Sequence, residues 1–250
     1  MVMRRAVVLA FVSTFAVASV ALAATGAKAP HSTLAQAVDH TNRAPTMRYA
    51  MAITVLRTAQ PSMTLRVQGE RGHGSLFIHV RALSDTIPGP QQSALLDGPF
   101  LYEGSPNGVA ITGKVRWLRL PVARIGAQAR PIETIHNFSP APLLRVLDEW
   151  RHAKTRSANG VFDGTVAYDD AIVQTALTSM AGGIQFRDVR FSAHIGSDGY
   201  VHDVRITGRT PDGQRTLLII AHLYAFGRPV TPRIPGEGTF MDQKLVGLAE

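Results

Sequence analysis

MRYAMAITVLR, residues 47–57, alternates without a break: Met47, Tyr49, Met51, Ile53 and Val55 take one side, Arg48, Ala50, Ala52 and Thr54 the other. Successive side chains of a strand point to opposite faces, so this period of two predicts a strand with one apolar face. The pattern repeats over Ser62–Glu70, with Met63, Leu65 and Val67 apolar, and over Ser75–Arg81, with Leu76, Ile78 and Val80 apolar. Gln60-Pro61 and Gly72-His73-Gly74 break the runs, which makes an antiparallel meander. Further strands are expected at Ala94–Asp97, Pro99–Glu103, Val109–Ile111, Val115–Leu120, Val161–Tyr168 and Thr216–Phe226. Val189–Ile195 and Tyr200–Thr207 flank Asp198-Gly199, and a two-residue turn there sets Phe191 opposite Ile206, Ala193 opposite Val204, His194 opposite Asp203 and His202 opposite Ile195. A one-residue slip would pair polar with apolar side chains, so burial selects the register.

Three stretches change to helical spacing: Ser32–Asn42, Ser139–Trp150 and the run from Asp169-Asp170 to Gly182-Gly183. Ser or Thr caps, Pro140 in a first turn and the closing glycines mark their ends. Strands and helices do not alternate, which excludes a parallel doubly wound sheet. The expected fold is α+β: a single curved antiparallel sheet of about ten strands, with about three α-helices on its concave face.

The chain has 250 residues, no cysteine, 45% hydrophobic residues and a formal net charge of +8. That composition excludes a wholly disordered chain and points to an anionic partner. Met1–Arg5 holds two arginines, Ala6–Ala27 holds no charge, and Ala21-Leu22-Ala23 has the small-x-small form of a cleavage site. This is the order of a secretory signal peptide over residues 1–23; an uncleaved anchor is the competing reading. Export makes lipid head groups or an envelope protein the expected partners and excludes nucleic acid. The remaining organisation reads as a linker over 24–33, a domain over 34–235 and an irregular tail over 236–250, with a helical trace at Met241–Leu248.

The sequence carries few patterns that chemistry requires. Gly108–Lys114 has phosphate-loop spacing, but Val115 stands where a hydroxyl is needed and a strand follows instead of a helix. The histidines are too dispersed to form a metal site, and Asp148-Glu149 and Asp169-Asp170 read as helix-end acids. No catalytic residue, metal or cofactor is expected.

Leu95-Leu96-Asp97-Gly98-Pro99-Phe100-Leu101-Tyr102 followed by Lys114-Val115-Arg116-Trp117 resembles a stretch of LolA-like envelope proteins, of the LppX/LprG lipid-carrier type. Gly164–Tyr168, Ser197–Val201 and Tyr224–Val230 resemble later segments of that family, in the same order. The resemblance implies a half-open barrel of about eleven strands that holds acyl chains and is not an enzyme. This chain departs from the lipoprotein members in lacking the cysteine that would be acylated. The expected function is a secreted or periplasmic carrier of lipid or an acylated ligand. The alternatives are an envelope sensor or accessory module without cargo, and a hydrolase with an unrecognised site. Expected cavity-lining residues from the sheet are Met51, Ile53, Met63, Leu65, Ile78, Trp117, Phe191 and Ile206. Leu144, Leu147 and Trp150 are expected from the helix.

Overall fold

The computed structural model describes residues 33–57, 60–84, 88–125, 135–149, 156–158, 160–165, 171–230 and 234–242. The expected signal peptide, nearly all of the linker, and Trp150 lie outside them. The alternating runs form β1 (Thr46–Arg57), β2 (Gln60–Gly72) and β3 (Ser75–Ser84), followed by β4 (Pro88–Asp97), β5 (Phe100–Gly104) and β6 (Trp117–Pro121). Later come β7 (Arg156–Ala158), β8 (Val161–Thr165), β9 (Arg187–Ile195), β10 (Val201–Arg209), β11 (Arg215–Tyr224) and β12 (Phe240–Asp242). The helices described end to end are α1 (Leu34–Arg43), α2 (Val122–Ile125), α3 (Ala141–Glu149) and α4 (Ala171–Met180). Among the described residues all twelve strands join one open, curved sheet in the order β12-β6-β5-β4-β3-β2-β1-β11-β10-β9-β8-β7. Every neighbour is antiparallel except β12, which runs parallel to β6.

The expected hairpin register is observed: Phe191 faces Ile206, Ala193 faces Val204 and His194 faces Asp203. Near the turn it shifts. Ile195 pairs with Val201, and His202 sits in the irregularity. The cause is a wider turn, in which Gly196 N–H donates to the Tyr200 carbonyl and the Asp198 carboxylate takes the His202 ring at 2.9 Å.

Three other expectations are corrected. Val109–Ile111 is not a strand but part of an exposed loop, entered through a 3-10 turn at Pro106–Gly108 in which Asn107 adopts φ 57°. Ala94–Asp97 is only the end of β4, which begins at Pro88 because pairing with β3 extends it through residues that carry no alternation. Phe240–Asp242 is a strand where the tail pattern suggests a helix; residues 243–250 lie outside the described residues.

The meander's apolar face carries the main core. Met47, Tyr49, Met51, Ile53 and Val55 of β1 meet Leu217, Ile219, Ala221 and Leu223 of β11 and Val204 and Ile206 of β10. Leu34, Ala37 and Val38 of α1, Leu143, Leu144, Val146 and Leu147 of α3, and Val173, Ala176, Leu177 and Met180 of α4 complete it.

Local chemistry fixes the helices. Thr33 caps α1, with Gln36 reaching back to the Thr33 N–H in a capping box. At the other end the Ala44 N–H closes the cap on the Thr41 carbonyl, and the Arg71 guanidinium donates to the carbonyls of Thr41, Asn42 and Ala44. Thr41 Oγ1 donates to the Ala37 carbonyl at 2.7 Å and accepts from the Val201 N–H at 2.9 Å, tying α1 to β10. Ser139 Oγ accepts from the Ala141 N–H at the start of α3. The Gln174 side chain of α4 bonds both backbone groups of Phe186.

Candidate functional site

Strand register places Tyr49, Gly69, Ile78, Ala94, Glu103 and Leu118 in one row across β1–β6, on the helix-facing side. The Tyr49 ring lies over Gly69 so closely that a Cβ there would be 2.1 Å from the ring, which is why that position is glycine. Parallel rows are Met51, Val67, Val80 and Gln92, and Ile53, Leu65 and Ala82.

The two halves of this face differ. Over β1 and β9–β11 the helices and the sheet fill the space between them: Met51, Ile53, Leu144, Leu147, Phe191 and Ile206 are all buried in one cluster. Over β2–β5 the inward residues include small ones, Ala82 and Ala94, and a groove of 550 Å³ remains. Leu65, Ile78, Val80, Ala82 and Ala94 form its floor, Pro90, Gln92, Glu103 and Pro106 line it further, and Ile135 and Phe138 close it from the segment before α3. A hollow of 140 Å³ lined by Ile53, Val55, Met63 and Met180 shares Leu65 and Phe138 with it.

The structure therefore divides the residues expected to line a cavity. Leu65 and Ile78 line the groove, and Ile53, Met63 and Leu65 line the adjoining hollow. Met51, Leu144, Leu147, Phe191 and Ile206 are packed into the core between sheet and helices. Trp117 is on the opposite, convex face. Register pairs it with Gly104 and alternates it with Leu118 and Leu120, which take the inward positions. There it shares a depression with His79, Ser93 and Arg116.

Val80, Ala82, Ala94, Glu103 and Phe138 were not in the sequence expectation. Val80 shares the period of Ile78 and was legible from it. Glu103 alternates with buried Leu101, so a carboxylate on the inward side of a strand was the signal for it. Glu103 is half-buried among apolar groups, and burial holds its carboxyl above the usual carboxylate range.

The convex face has its own small cluster. Leu95 and Tyr102 are buried there, outside the main core, and the Tyr102 and Phe240 rings meet edge to face at 5.6 Å. Arg119 lies over the rings of Phe100 and Phe240, at 4.8 and 4.5 Å, and grips Asp242 through two hydrogen bonds of 2.7 and 3.0 Å. That pairing attaches β12 to the edge of the sheet. Further along, His194 and His222 flank Asp203 at 3.2 and 2.8 Å. Among the described residues no three metal-binding side chains are placed to hold an ion together.

No family model matches the chain, and no curated protein does. Among solved structures, a LolA superfamily protein from Nitrosomonas europaea aligns over 80% of this chain and 93% of its own, at 12% identity and a TM-score of 0.28.

Proposed function

We propose that this chain is an exported, non-catalytic carrier that shelters an acyl chain in the groove over β2–β5. The observation that carries the reading is the groove itself: 550 Å³ of space with a floor of aliphatic side chains, on the inner face of a curved sheet. Small-molecule sites occupy roughly 300–1,000 Å³ and are lined mainly by apolar groups with few polar ones. Burial of ligand hydrocarbon supplies the driving force, at about 25 cal/mol per Å² before the costs of association. The charge-free N-terminal run supports export, and the LolA-like order of motifs supports a carrier role. No helix among the described residues is long and apolar enough to cross a membrane.

The packed half of the concave face favours a second reading, a sensor or accessory module that holds no cargo. Native mass spectrometry of protein purified from its own envelope, followed by solvent extraction, separates the two. The carrier reading expects one co-purifying lipid per chain. A clean apo mass, with no uptake of a neutral fluorescent diacylglycerol, would remove it.

A further inference from the structure

Glu103 is the acidic side chain among the groove's lining residues, and no described residue lining the groove carries an opposite charge. It lies on β5 between Ala94 of β4 and Leu118 of β6, at the end of a floor built from Ile78 and Val80. Pro106, Ile135 and Phe138 bound the groove from the other elements, and Gln92 is its neutral polar neighbour. None of these groups titrates or carries a charge. Among the described residues, burial is the influence that moves its proton affinity, and it moves it upward. A carboxylate taken out of water without a partner costs free energy, and a ligand that brings the missing donor recovers it.

Resting on the reading of the groove as an acyl-chain site, we propose that Glu103 is a polar anchor that selects amphiphiles whose chain ends in a protonated amine. The chain lies along the aliphatic floor, and the ammonium donates to the Glu103 carboxylate at the groove's polar end. A charge-assisted hydrogen bond in a partly dehydrated site is about twice as strong as a neutral one. A hydroxyl head donates a single bond to the carboxylate and brings no opposite charge. A carboxylate head meets a like charge, which disfavours ionisation of one of the two.

The test compares dodecylamine, dodecanol and dodecanoate, each below its micelle concentration, by isothermal titration at pH 7 with the full chain. The expected order is amine, then alcohol, then carboxylate, with about tenfold or more between the first two. Glu103→Gln keeps the shape of the side chain and removes its charge. It should bring the amine down to about the alcohol's affinity, cost dodecanol far less than the amine, and leave a cooperative melt at or somewhat above the parent's Tm. Equal binding of the three ligands, or tightest binding of dodecanoate, overturns the anchor and leaves the groove reading standing. So does a Glu103→Gln protein that keeps the parent's preference, or one that melts normally yet loses dodecanol too. If the parent binds none of the three, the groove reading itself fails and the inference falls with it.

Discussion

Thr41→Val is the sharpest probe of how α1 is held against the sheet. The substitution keeps the branched shape and a similar helix propensity while deleting the hydroxyl. Thr41 is fully buried, and its Oγ1 accepts from the Val201 N–H across 160 residues of sequence. Val201 is itself fully buried at the start of β10, so its N–H cannot turn to solvent. A buried donor deprived of its acceptor costs about 1–3 kcal/mol. The new methyl returns roughly 0.8 kcal/mol by its own burial. The Ala37 carbonyl loses one donor, but its place in the helix ladder is unaffected. The net expectation is a loss of about 0.2–2 kcal/mol, centred near 1, which for a chain of this size lowers Tm by roughly 2–4 °C at the centre and by up to about 8 °C. Thermal melts followed by circular dichroism measure it, and hydrogen exchange at Val201 locates it. Thr41→Ser retains the hydroxyl and should restore slow exchange at Val201, even though it gives up a methyl. A valine variant as stable as the parent, or unchanged exchange at Val201, would refute the claim that this bond docks the helix.

The Tyr49 hydroxyl is buried with no hydrogen-bond partner among the described residues, so Tyr49→Phe should raise stability by about 1 kcal/mol; a lower Tm would show that the hydroxyl is satisfied in solution. Ala94→Phe puts a ring into the groove floor and should weaken dodecanol binding at least tenfold, whereas Trp117→Ala, on the convex face, should leave it unchanged. Equal losses in the two variants would mean that the faces are misassigned. Glu103 has its proton affinity raised by burial, so the folded state holds the proton more tightly than the unfolded one. Its contribution is therefore least unfavourable at acid pH and worsens as pH rises through the carboxylate range. Urea melts from pH 4 to pH 7 should show Glu103→Gln gaining stability relative to the parent as pH increases. A difference that shrinks with pH would reverse the assignment.

How much of this was legible in the sequence depended on whether burial had a single direction. In β1–β3 one face is uniformly apolar, so period alone names the inward residues, and register follows from pairing them. The β9–β10 pairing was readable for the same reason, because a slip would have set Ser192 against Val204. Trp117 misled because the largest apolar side chain of its strand faces outward. The alternation of Leu118 and Leu120 against Trp117 and Arg119 held the right answer: the two leucines take the inward positions, and the ring lies beside Gly104 in the depression with His79 and Arg116. The first half of β4, Pro88–Gln92, carries no alternation and is a strand only because β3 supplies partners. Which half of the concave face the helices cover is a long-range outcome. It rests on contacts such as Thr41 to Val201 and Arg71 to the end of α1, which no local pattern encodes.

The asymmetry of the concave face has an energetic consequence. Where large side chains meet, as at Phe191, Ile206 and Leu147, the interior closes on itself and ligand can add nothing. Over β2–β5, Ala82 and Ala94 leave aliphatic surface uncovered, and apolar surface in water is a standing cost. A ligand that covers this surface binds the folded chain and not the unfolded one, so it must stabilise it by RT ln(1 + [L]/Kd). At a hundredfold excess over Kd that is about 2.7 kcal/mol, or a Tm increase of roughly 5–10 °C. Dodecanol should produce this shift in the parent and almost none in Ala94→Phe, whose ring already covers the floor. If the two proteins shift alike, the alcohol is acting elsewhere, and the uncovered aliphatic floor is not the place where this fold receives its ligand.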